Sequence, residues 1–103
     1  MLALELLSAE ELAREMANRV RALRLARSWT QVEAAARAGM TLASYKRFER
    51  TGEIAFRSLL KIAIVLDQVA ALGPLFAPPP FRSLDEAVRL PKVRKRAPRR
   101  RIS

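Results

Sequence analysis

The sequence predicts an all-α bundle of about five short helices, followed by a short C-terminal helix and a basic, disordered tail. Three observations carry that expectation. Apolar residues recur at helical spacing, cap residues stand before each periodic run, and Gly or Pro falls between the runs. A chain of 103 residues has room for one domain. Residues 1–77 read as the folded body, and 78–103 as a Pro-rich spacer, short helix and tail.

Ser8-Ala9-Glu10-Glu11 reads as a capping box, with Leu7 and Leu12 spaced as a hydrophobic staple. A first helix should run from about Ala9 to Arg27 or Ser28. Its inward stripe would be Leu12, Met16, Val20 and Leu23, and its outer face Glu15, Arg19 and Arg21. Thr30 can cap a two-turn helix, Gln31 to Ala38, closed by Gly39 in the left-handed conformation. Thr41 caps the next, Leu42 to Arg50, with Tyr45 and Phe48 inward and Gly52 at its end. Arg57 to Leu66 is apolar over a wide face and belongs at the centre of the core. Asp67 is expected to cap a further short helix through Leu72, which Gly73-Pro74 breaks, leaving Leu75 and Phe76 to cover an end of the core. Pro78-Pro79-Pro80 forms an extended spacer, and a second capping box at Ser83-Leu84-Asp85-Glu86 starts a helical turn or two ending near Arg89.

Composition narrows the chemistry. Cys and His are both absent, which excludes disulfides, thiolate nucleophiles, Cys/His metal sites and imidazole acid–base catalysis. The ten carboxylates are scattered, no nucleophile–base pair stands out, and there is no Gly-rich phosphate loop, so neither an enzyme nor a cofactor or metal site is expected. No apolar run approaches the ~20 residues of a membrane span, and the first residues lack a basic leader, so a cytoplasmic protein is expected. The net charge of +10 points to a polyanionic partner. That charge is uneven: Lys92, Arg94, Lys95, Arg96, Arg99, Arg100 and Arg101 form a tail without acids, while residues 1–90 carry only +3.

The window from Gln31 to Arg50 carries the functional reading. Two helices that cross steeply around a tight turn need small residues where they touch. Ala34, Ala35 and Ala38 supply a thin inner face, Gly39 the turn, Met40 a plug beneath it, and Tyr45 and Phe48 the buried ridge of the second helix. Gln31, Arg37 and Arg50 then fall where phosphates should lie, and Ser44, Lys46 and Arg47 on the second helix's outer side complete a cationic reading face. Taken alone, such a cluster would be an ordinary solvated helix surface; the turn in front of it makes it a candidate for duplex DNA. Trp29 is expected to fill the seam between the first and second helices.

At these residues the chain resembles the XRE-type helix-turn-helix family, the fold of lambda-type phage repressors and Cro proteins, over roughly Met16 to Leu72. Trp29-Thr30-Gln31 resembles the family's apolar-Ser/Thr-Gln start of the second helix, and Phe48-Glu49-Arg50-Thr51-Gly52 its Glu-before-Gly segment. The resemblance implies a lambda-repressor-like bundle, a Gln31 that holds a DNA phosphate, and an Arg24–Glu49 ion pair locking the first helix to the third. It places base contacts on Leu42, Ala43, Lys46 and Arg47. Phage repressors favour Gln or Asn at the start of that helix; Leu42 and Ala43 offer only apolar contact, for instance to a thymine methyl.

Tyr45 to Ala63, followed by Leu75-Phe76, the Pro run, Arg82 to Glu86 and the Arg/Lys cluster, resembles HipB-like antitoxins partnered with HipA-family kinase toxins. That likeness implies a homodimer that represses its own operon at a pseudo-palindromic operator and binds the toxin. Val69, Leu72, Leu75 and Phe76 are the expected dimer interface, since they leave more apolar surface than one small domain buries. Two other readings stand beside it: a phage-type or restriction-modification control regulator without a toxin, and a chain that is chiefly a protein-interaction module.

Overall fold

Helix α1, Ala9–Ala26, is 18 residues long and starts where its cap dictates. In the computed structural model, which describes residues 3–80, Ser8 Oγ accepts from the Glu11 amide at 3.1 Å and Glu11 Oε1 accepts from the Ser8 amide at 2.9 Å. A cap of this kind is worth about 1 kcal/mol. A 3-10 turn, Leu4–Leu6, precedes it. Helix α2, Gln31–Ala38, has its own capping box, between Thr30 and Glu33, and ends at Gly39 with φ 68°. A Cβ on Gly39 would meet nothing within 4 Å, so backbone conformation alone, not space, favours glycine there.

Helix α3, Leu42–Thr51, is capped by the Thr41 hydroxyl and closed by Gly52 at φ 85°. At Gly52 space matters too: a Cβ would meet the Ala13 carbonyl carbon at 2.7 Å, so α3 ends directly against the α1 backbone. Helix α4, Phe56–Val65, has no side-chain cap, and a 3-10 turn, Val69–Leu72, follows. Four α-helices and two 3-10 turns, with no strand, make up the described residues. The Ser83 box, the last expected helix and the basic tail from Lys92 to Arg101 lie outside the described residues.

The core lies where α1, α2, α3 and α4 meet. Ala34, Ala35 and Ala38 of α2 bury against Tyr45 and Phe48 of α3 and Ile62 and Leu66 of the α4 end. Tyr45 and Phe48 meet edge to face, ring centroids 6.4 Å apart, a geometry that adds about 0.5–1.5 kcal/mol beyond burial. The thin alanine face brings α2 close, and the two aromatics fill the remaining space.

Three expectations are corrected. The residue of α1 at the centre of the core is Ala17, 1% exposed, whereas Leu12, Met16, Val20 and Leu23 are only half-buried. The Gly52 end of α3 lies directly against Ala13, one turn before Ala17 on α1. Asp67 caps nothing: it takes φ 59°, and its carboxylate pairs with Arg27 at 3.3 Å, so the segment to Leu72 closes only as a 3-10 turn after Gln68. Leu75 and Phe76 cover no end of the core; they are 52% and 96% exposed. Trp29 does sit against the core but only partly buried, its ring flanked by the guanidinium groups of Arg37 and Arg27, 4.5 and 5.6 Å from the centroid.

Candidate nucleic-acid interface

The local sequence decides which side of α3 faces out. With Tyr45 and Phe48 buried, helical geometry turns Leu42, Ala43, Ser44, Lys46, Arg47 and Arg50 toward solvent, and all six are exposed. Thr41 holds the first turn in place through the Ser44 amide at 3.1 Å. The outward side thus carries two apolar residues at the N-terminal end, a hydroxyl, and three cations.

Behind this surface a polar cluster fixes the orientation of α3. Arg24 Nε and Nη2 donate to the two Glu49 carboxylate oxygens at 2.7 and 3.1 Å, and Arg24 Nη1 donates to the Trp29 carbonyl at 2.8 Å. Tyr45 Oη donates to Glu49 Oε2 at 2.5 Å, and Gln31 Nε2 to Glu49 Oε1 at 3.0 Å. One carboxylate therefore gathers donors from all three of α1, α2 and α3. Burial alone would raise the Glu49 carboxyl, but the hydrogen bonds from Arg24, Tyr45 and Gln31 outweigh it and hold it below its ordinary value. Burial, reinforced by Glu49, pushes the Tyr45 phenol well above its ordinary range. The hydrogen bond to Glu49 raises Arg24, against a smaller effect of burial. Both charges of the pair are nearly inaccessible, with side chains 8% and 5% exposed. A buried pair of this kind fixes geometry more than it adds net stability.

The expected contact residues separate into two places. Gln31, Lys46 and Arg50 share one hollow with Arg21 and the edge of Glu49, so amide and cationic donors line its rim. Arg37 is not among them; it stands at the other end of α2 from Gln31, stacked on Trp29, and borders a separate recess with Lys61 and Ile64. Arg21, expected on the outer face of α1, borders the Gln31 hollow instead, because α3 packs close enough to α1 to bring Lys46 and Arg50 alongside it. Arg47 ion-pairs with Glu53, just beyond Gly52, a residue that no motif brings to attention.

Val69 is half exposed and Leu72 lines an open apolar groove with Met16, Val20, Leu23 and Leu59; Leu75 and Phe76 are exposed as well. Among the described residues no helix is long and apolar enough to cross a membrane, and no group of three or more His, Cys, Asp or Glu side chains could hold a metal ion.

The helix-turn-helix family model, HTH_3, matches residues 20–70, from the middle of α1 to the 3-10 turn after α4. Residues 20–70 are an XRE-type helix-turn-helix domain. No curated protein and no solved structure matches the chain. In the helix-turn-helix domain α2 and α3 are the paired helices, Gly39 and Met40 lie in their turn, and α3 is the helix that enters the major groove in DNA readers of this kind. The domain is that of a sequence-specific DNA-binding regulator.

Proposed function

We propose that the protein is a homodimeric transcriptional repressor that places two copies of α3 in successive major grooves of a pseudo-palindromic operator, with half-sites about 10 bp apart. One observation carries this reading: α3 is clamped from behind through Glu49 while its opposite side exposes Leu42, Ala43, Ser44, Lys46 and Arg47 to solvent. Lys46 and Arg47 would read base edges, and Gln31 and Arg50, joined by Arg21, would hold the backbone. Dimerisation through Val69, Leu72, Leu75 and Phe76 is supported by the exposure of three of them beside the apolar groove that Leu72 lines. The protein would act in the cytoplasm, by binding rather than catalysis.

The antitoxin role, with autoregulation and a HipA-like kinase toxin as partner, is supported by the sequence resemblance from Tyr45 onward. A kinase-like reading frame beside the gene, and a stable complex of the two products, would favour it over a phage-type or restriction-modification regulator. DNA reading itself is tested with duplexes selected from a random library. Arg47→Ala should lose about 1–3 kcal/mol of discrimination between a selected and a scrambled duplex. A chain ending at Pro80 should bind both duplexes more weakly by a similar factor. Unchanged discrimination in Arg47→Ala would overturn the assignment of base reading to α3.

A further inference from the structure

Glu53 is held against the reading helix by two routes. Its backbone amide donates to Thr51 Oγ1 at 3.0 Å, and that hydroxyl in turn donates to the Arg47 carbonyl at 2.8 Å. Its carboxylate accepts from Arg47 Nη2. The turn that brings it there is fixed, because Gly52 lies against the Ala13 backbone with no room for a Cβ. Between Thr41 and Ser58 the acids are Glu49 and Glu53. Glu49 is buried under Arg24, so of these two acids it is Glu53 that places an accessible negative charge beside Arg47.

We infer that Glu53 is a specificity-determining residue: its carboxylate, seated beside Arg47, keeps that guanidinium from serving as a general phosphate anchor and aims it at base edges. The inference rests on the DNA-reading assignment of α3. A guanidinium has five N–H donors, and the contact with Glu53 uses one nitrogen, which leaves donors for a guanine edge. A phosphate approaching the same group meets the Glu53 charge at close range. The cost of that repulsion falls on every sequence, and only a base edge that satisfies the remaining donors offsets it. Arg47 and Glu53 are 61% and 62% exposed, so the pair adds little to folding and its removal leaves the domain intact.

The test compares a duplex selected from a random library with a scrambled duplex of equal length, using the full chain and its Glu53→Gln, Arg47→Ala and doubly substituted forms. Glu53→Gln should bind the scrambled duplex about three- to tenfold more tightly, with a log–log salt slope steeper by about 0.9, while binding to the selected duplex changes less. In the Arg47→Ala background, Glu53→Gln should leave the ratio between the two duplexes unchanged. An equal gain on both duplexes, or a loss of discrimination that persists without Arg47, would overturn the inference and leave Glu53 a general surface charge. If Arg47→Ala alone leaves discrimination intact, the DNA-reading assignment fails instead.

Discussion

The two sides of this small bundle are built to different standards. On the α2–α3 side each helix start is capped, each end is closed by a left-handed glycine, and the buried charge of Glu49 is met by four hydrogen bonds from three residues. On the side formed by α1, α4 and the last 3-10 turn, α4 starts without a side-chain cap, the groove beside Leu72 stands open, and Phe76 is almost wholly in solvent. One side is complete within a single chain; the other has apolar surface left over. Rigid presentation of α3 needs nothing from a partner, whereas the second side gains stability only when something covers it.

The comparison breaks most directly at Glu49. Glu49→Ala should destabilise the fold by about 3–5 kcal/mol, because it strands Arg24 in a buried site along with the Tyr45 hydroxyl. Urea unfolding followed by circular dichroism measures this; a loss below 1 kcal/mol would mean that the cluster does not hold α3 in place.

Titration of the same cluster gives a smaller, graded effect. Glu49 has a depressed pKa when folded, so its contribution is present above the unfolded value near 4.3 and is lost as pH falls through the folded one. Tyr45 has a raised pKa, so its contribution is present below about pH 10 and is lost as pH rises toward the folded value. Urea midpoints taken across pH should therefore fall at both extremes, and Tyr45→Phe should remove part of the alkaline fall. An alkaline fall of equal size in the variant would show that the phenol does not contribute.

At the open side the smallest effect on the single chain is expected. Phe76→Ser should change monomer stability by less than about 0.5 kcal/mol, since the ring buries nothing. The same substitution should shift sedimentation from dimer toward monomer. If the chain sediments identically with and without Phe76, that residue plays no part in association.

Local rules made most of α1, α2 and α3 legible in the sequence. Ser8, Thr30 and Thr41 cap, Gly39 and Gly52 close, and Tyr45 and Phe48 turn inward, each set by neighbours within four residues. The Arg24–Glu49 pair spans 25 positions and came from family resemblance rather than from periodicity. Long-range closeness was what the sequence hid. Ala17 is buried one turn beyond Ala13, where the end of α3 meets α1, while the periodic pattern favoured the larger Leu12 and Met16. Asp67 had the residue type of a cap but is drawn to Arg27, 40 positions earlier. Arg21 and Glu53 come beside the exposed residues of α3 through contacts between helices and around a glycine turn, which no spacing rule within one helix records.

Trp29 is the only indole in the chain, and it stands at the junction of α1 and α2 with two guanidinium groups beside its ring. Its fluorescence is therefore a label supplied by nature where those two helices join. A change in its emission reports the parting of those two helices, free of any signal from elsewhere in the chain that a second indole would add.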